Sequence, residues 1–170
     1  MSLTYEVCQE SFESLTDQWS ELLDSCSNNT VFLTAGWQYT WWSQFRDRGV
    51  LCILGIWEQD RLKGLAPLMK YGETLTFLGD TDLVDYHDFL MPGNEITELY
   101  AALLEYLVTF KWNVLDLPSI PSSSPMLEIL PAWASNRRYS VDVVCEDVSP
   151  GMILPSSVLA PGPTATTFPS

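Results

Sequence analysis

Val50-Leu51-Cys52-Ile53-Leu54-Gly55-Ile56-Trp57, then Glu58-Gln59-Asp60-Arg61, then Leu62-Lys63-Gly64-Leu65-Ala66-Pro67-Leu68-Met69-Lys70 is the stretch on which the fold turns. The first run is almost continuously apolar, the pattern of a strand covered on both faces. The polar block after it predicts a turn, and the second run a returning antiparallel strand. With no Asn-Gly or Asp-Gly, the turn geometry stays open. Gly64 and Pro67 inside the second strand predict a bulge or an edge position.

Downstream, Leu75 to Leu78 and His87 to Met91 are expected to extend the sheet, with a polar loop between them. Asn94 reads as a helix cap, with Glu95 and Glu98 in the first turn and Ile96, Leu99, Leu103, Leu107 and Phe110 as the buried stripe. Asn113 to Leu117 predicts a short strand. Ser124-Pro125 opens a further helix, which Pro131 should kink or end early. Tyr139 to Cys145 predicts a last strand.

Upstream, Leu3 to Cys8 alternates as a first strand. Ser11 reads as an N-cap with Glu13 in the first turn, and Phe12, Leu15, Trp19, Leu22 and Leu23 recur at helical spacing. Thr34 is a second cap. Trp37, Trp41 and Phe45 follow at steps of four and share one helix face, expected to be core. Trp42 sits beside that face; lining a cleft is its alternative role. Gly49 ends the helix. The order implies an α+β fold: a mixed, mostly antiparallel central sheet flanked by helices.

With 170 residues, an apolar fraction of 46% and seven tryptophans, the chain can fill one domain's core. That domain is expected over residues 1–148. The remainder, 149–170, has no charged side chain and is rich in Pro, Ser, Thr and Ala, which reads as a disordered tail. A net charge of −14 with only eight Lys and Arg argues against nucleic acid and against an anionic membrane surface. Neither a secretory signal nor an apolar run of about 20 residues is visible, so a cytoplasmic protein is expected. The four cysteines lack the paired spacing of a zinc site; Cys52 and Cys145 fall in predicted strands as small core residues.

The loop Gly79-Asp80-Thr81-Asp82-Leu83-Val84-Asp85-Tyr86-His87-Asp88 gathers four aspartates, a tyrosine and the chain's only histidine. Loops fixed by strands are where binding residues concentrate. A metal held by Asp80, Asp82 and Asp85 is disfavoured, because no Gly follows and Met91 stands where a calcium loop needs Glu. His87 as general base lacks a nucleophile: Ser43 and Cys52 have no motif around them, and there is no G-x-S-x-G. A polar or cationic acceptor is the functional reading preferred here. Carboxylates would take its hydroxyl or ammonium hydrogens, and aromatic rings would form a wall. Beside it stands ordinary turn chemistry, with Asp85 or Asp88 capping backbone N–H groups. Asp116 ends a predicted strand, an address shared by many sites and by simple turns. Arg137 and Arg138 read as an anion patch or a solubilising pair.

Val31-Phe32-Leu33-Thr34-Ala35-Gly36-Trp37 with Trp41-Trp42, Arg61-Leu62-Lys63-Gly64-Leu65-Ala66-Pro67-Leu68, Phe77-Leu78-Gly79 with Asp85-Tyr86-His87-Asp88-Phe89, and Val114-Leu115-Asp116-Leu117 lie in order. Glu146-Asp147-Val148-Ser149-Pro150 and Ile153-Leu154-Pro155 continue the series. Together, over roughly residues 15–155, they resemble the GNAT-superfamily acyltransferases of the CelD/BcsL type, associated with cellulose and exopolysaccharide biosynthesis. The resemblance implies two GNAT-like halves in tandem, of which this chain matches the first, acceptor-side half. The site for acetyl-CoA or another acyl-CoA is expected mainly in the second half. Here the chain instead runs into Val158-Leu159-Ala160-Pro161 and stops at Ser170.

Independently, no Gln/Arg-x-x-Gly-x-Gly/Ala turn is present to cradle a pyrophosphate at a helix N-terminus. No tight coenzyme binding is therefore expected, and no catalytic residue is assigned. The implied acceptor wall is Trp42, Trp57, Asp85, Tyr86 and His87. Expected partners are a small-molecule or saccharide acceptor and either the second half or another copy. The alternative is a non-enzymatic binding or assembly module.

Overall fold

The computed structural model describes residues 5–146 and 148. The expected tail and the first two residues of the first predicted strand lie outside them. Five strands form one sheet in chain order: β1 (Glu6–Glu10), β2 (Val50–Glu58), β3 (Arg61–Tyr71), β4 (Thr74–Phe77) and β5 (Val114–Asp116). β1 to β4 are antiparallel neighbours, and β5 joins β4 in parallel. The helices are α1 (Phe12–Asp24), α2 (Ala35–Phe45), α3 (Ile96–Leu107) and α4 (Met126–Asn136). The fold is α+β, with a mostly antiparallel sheet, as the residue patterns predict. Among the described residues no helix is long and apolar enough to cross a membrane.

Both faces of the β2–β3 hairpin are covered. Cys52, Leu54, Ile56, Ala66 and Leu68 pack with Leu99, Leu103 and Leu107 of α3 and Met126 of α4. Ile53, Leu62, Leu65 and Met69 pack with Leu15, Trp19, Leu22 and Trp41 of α1 and α2. Leu62 and Leu65 share a face although they are three positions apart, because the register slips between Ile56 and Trp57. Ile56 faces Gly64 while Trp57 faces Leu62, so Lys63 is the extra residue of a bulge. A Cβ on Gly64 would fall 2.9 Å from both Ile56 Cδ1 and Met91 Sδ, which explains the glycine.

Pro67 sits where β3 changes neighbour. Its carbonyl accepts the Leu78 N–H at the end of β4, and the next contact on that side is the mutual pairing of Leu65 with Leu90. A proline, which has no N–H to offer, fits such a junction.

The predicted caps form. Ser11 and Ser14 exchange side-chain and backbone hydrogen bonds at the start of α1, and the Thr34 hydroxyl accepts from Trp37 N–H at 3.3 Å. Five expectations need correction. His87 to Met91 is not a strand: only Leu90 pairs, because Asp88 and His87 are held by other elements. α3 is entered through a 3-10 turn, Gly93–Glu95, which places Glu95 rather than Asn94 at the cap position. α4 continues through Pro131 to Asn136; a proline removes only one intrahelical bond, and the helix retains the rest. Trp37 is 36% exposed rather than core, at the N-terminal end of α2, with its edge against Phe32. Tyr139 to Cys145 is exposed and unladdered, so Cys145 is not a core residue. A strand exists only by pairing, and no described strand pairs with it.

Candidate functional site

The β4 exit and the acidic loop fold into one unit. The His87 ring lies parallel to Phe77, with centroids 5.0 Å apart and 4° between planes, and Phe89 meets Phe77 edge-on. Gly79 makes the approach possible: its φ is +140°, and a Cβ there would stand 2.6 Å from His87 Nε2. The His87 N–H donates to the Ser119 carbonyl beyond β5 at 3.0 Å, tying the loop across the end of the sheet.

His87 is 1% exposed, and neither ring nitrogen makes a hydrogen bond of normal geometry among the described residues. Burial pulls its pKa down to about 4, with the Pro118 carbonyl and Asp80 opposing. The ring is therefore neutral at pH 7 and too weak a base for efficient proton abstraction. Asp88 is also buried. Its Oδ1 accepts the Phe89 N–H at 2.8 Å and the Ser124 hydroxyl at 2.9 Å, while Ser124 Oγ accepts from Met126 N–H at the mouth of α4. Burial raises its pKa despite these donors. Its role is to fasten the loop to α4, the turn chemistry anticipated for it.

The residues anticipated as an acceptor wall divide between places. Tyr86, tilted against Phe32, and His87 border a cavity of about 220 Å³ with Asn28, Thr30 and Asp88. Asp85 is exposed and does not border it. Trp42 and Trp57 pack half-buried against the α1–α2 core instead, with the Trp57 indole donating to Glu10 at 3.0 Å. Of the metal candidates, Asp80 is engaged by Arg48 at 2.7 Å and by the Asp82 N–H at 2.9 Å. Burial pushes the Cys8, Cys26 and Cys52 thiols up to about 11, which removes them as nucleophiles at neutral pH.

A second concavity, open and about 430 Å³, lies over β4 and β5. Leu75 and Phe77 point to the α3 core, so the pleat turns Thr74 and Thr76 to the opposite face. Thr76 stands in register with Asp116, and both line the hollow. Trp41 and Arg48 wall it from the side of α2, with Asp80 near Arg48 and Tyr71 also lining it. Trp41 is 5% exposed, and its indole N–H has no acceptor among the described residues. The Asp116 carboxylate is exposed and has no ion-pair or hydrogen-bond partner among them. The carboxylate of Asp116 was legible from its place at a strand end. Trp41 reads as core, and nothing in the sequence singles out Arg48; the alternation Thr74-Leu75-Thr76-Phe77 is the one signal of a polar face.

No protein-family model matches the chain, and no curated protein matches it.

Proposed function

We propose that the chain is the acceptor-side half of a GNAT-type acyltransferase and does not complete the reaction alone. The full enzyme would move an acyl group from acetyl-CoA or another acyl-CoA, in the cytoplasm, to an amine or hydroxyl of a polysaccharide-related acceptor. Its rate would come from positioning the acceptor and from donors around the developing oxyanion. The reading is supported by the ordered motifs, of which the first four fall at α2, β3, the β4 exit and β5, while those after Glu146 lie largely outside the described residues.

The observation that carries the acceptor role is the hollow over β4 and β5. It combines an aromatic wall, hydroxyls and an exposed carboxylate, while the Trp41 indole N–H, buried from solvent, has no acceptor among the described residues. Arg48 is already neutralised by Asp80, which leaves Asp116 to set the local charge. Such a site suits a hydroxyl-bearing ligand and prefers one with an ammonium group. Nuclear magnetic resonance of the indole N–H groups tests this, with the Trp41 signal assigned through Trp41→Phe. D-Glucosamine should shift that signal and bind about fivefold tighter than D-glucose, and Asp116→Asn should erase the difference. If neither sugar moves the Trp41 signal, the hollow is not the acceptor seat.

A further inference from the structure

The acidic loop hangs between two fixed points. Before it, the Leu78 N–H donates to the Pro67 carbonyl at 2.9 Å; after it, Leu90 and Leu65 exchange backbone hydrogen bonds. Asp88 is held in addition by the Ser124 hydroxyl. Residues 80–87 have only two polar ties to other elements among the described residues. One is the exposed ion pair of Arg48 with Asp80, the other the bond from His87 N–H to the Ser119 carbonyl. The rest of their hold is burial: Val84, and the His87 ring flat on Phe77. An imidazolium carries two N–H donors, and in that place both would lack a normal acceptor.

The charged neighbours do little to relieve this. β4 brings none to the ring. The β4 exit brings Asp80, already paired with Arg48, and the β5 side brings Asp116 and Glu146. Asp88 is the next residue, and Cys26 and Tyr100 near it are kept protonated by burial. Of these carboxylates only Asp80 draws the ring toward its charged form, and burial outweighs it.

We propose that residues 80–87 are an acid-released latch: the neutral His87 ring keeps it shut on Phe77, and protonation of that ring swings it out about Gly79 and Asp88 while the sheet and helices stay folded. Gly79, with its φ of +140°, suits one hinge, and Asp88 stays bonded at the other, so its own ionisation does not drive the motion. Asp80 walls the hollow over β4 and β5, and Tyr86 and His87 wall the smaller cavity, so release opens both together. The inference does not rest on the acyltransferase reading.

Amide hydrogen exchange of the full chain, followed by nuclear magnetic resonance, tests it. The His87 N–H reports the latch, and the amides of the β2–β3 ladder report global unfolding. With the ring at about 4 when shut and at its ordinary 6.5 when released, the opening constant at His87 should be about 30-fold larger at pH 5 than at pH 7.5. At both pH values it should exceed the opening constant of the ladder and respond far less to urea. In His87→Phe, which keeps the stack, the amide of residue 87 should change less than about twofold between the two pH values. A wild-type His87 amide that exchanges with the constant and urea slope of the ladder overturns the latch, as does a rise that persists in His87→Phe.

Discussion

The acidic loop at the β4 exit and the valine-rich segment after α4 have exchanged the environments their compositions suggest. The loop, with four aspartates and the only histidine, sends His87 and Asp88 into the interior. The segment, read as a strand from its valines, lies in water. The contrast shows that burial follows what stands opposite. His87 has Phe77 to stack on and a glycine to make room, and Asp88 has Ser124 and a backbone N–H. Val143 and Val144 face no described strand that could complete their hydrogen bonds.

The largest effect should come from removing the ring at the centre of the sealed unit. Phe77→Ala should lower unfolding free energy by about 3–5 kcal/mol in urea titrations, whereas Val143→Ala should stay within about 0.5 kcal/mol. Comparable losses at both positions would erase the contrast. Gly79→Ala should cost on the order of 3 kcal/mol, since it combines a left-handed φ with a collision against the His87 ring.

Acid should act on the loop next. The folded pKa of His87, about 4, lies below its unfolded value near 6.5, so the unfolded chain takes up the proton first. The stability tied to the neutral ring is intact above pH 6.5 and is lost as pH falls from 6.5 to 4, by on the order of 3 kcal/mol. Asp88 runs the other way: its raised pKa means a contribution present in acid and lost as pH rises through that value. His87→Phe keeps the stack on Phe77 and should abolish the loss between pH 6.5 and 4 in pH-dependent melting. Persistence of that loss in the variant would place its origin elsewhere.

A smaller stability effect is expected at a cap. Ser11→Ala should cost about 1 kcal/mol in the same titrations, by leaving the Ser14 N–H without its acceptor. Thiol labelling extends the comparison without mutation. At pH 8, exposed Cys145 should react fast, while buried Cys26 and Cys52, held near 11, should wait for unfolding.

Local signals carried most of the fold. Ser11 and Thr34 cap as their sequence context says, the β2–β3 run announces cover on both faces, and Leu99, Leu103 and Leu107 mark the buried side of α3. What failed depended on partners distant in sequence. Leu90 pairs singly because its neighbours are claimed by Phe77, Ser119 and Ser124. Tyr139 to Cys145 has strand composition but pairs with no described strand, and Pro131 is tolerated because α4 keeps its other bonds.

The site was less legible. Asp85, Tyr86 and His87 are consecutive, yet one is exposed, one half-buried and one sealed, and Trp42 and Trp57 belong to the α1–α2 side. The hollow draws on Trp41, Arg48, Thr76 and Asp116, residues too far apart for any spacing rule to join them.

The proposal that this chain holds the acceptor and not the coenzyme is tested most directly by calorimetric titration of the purified protein with acetyl-CoA. The account predicts no saturable heat up to millimolar coenzyme. A saturable isotherm with micromolar affinity would contradict it.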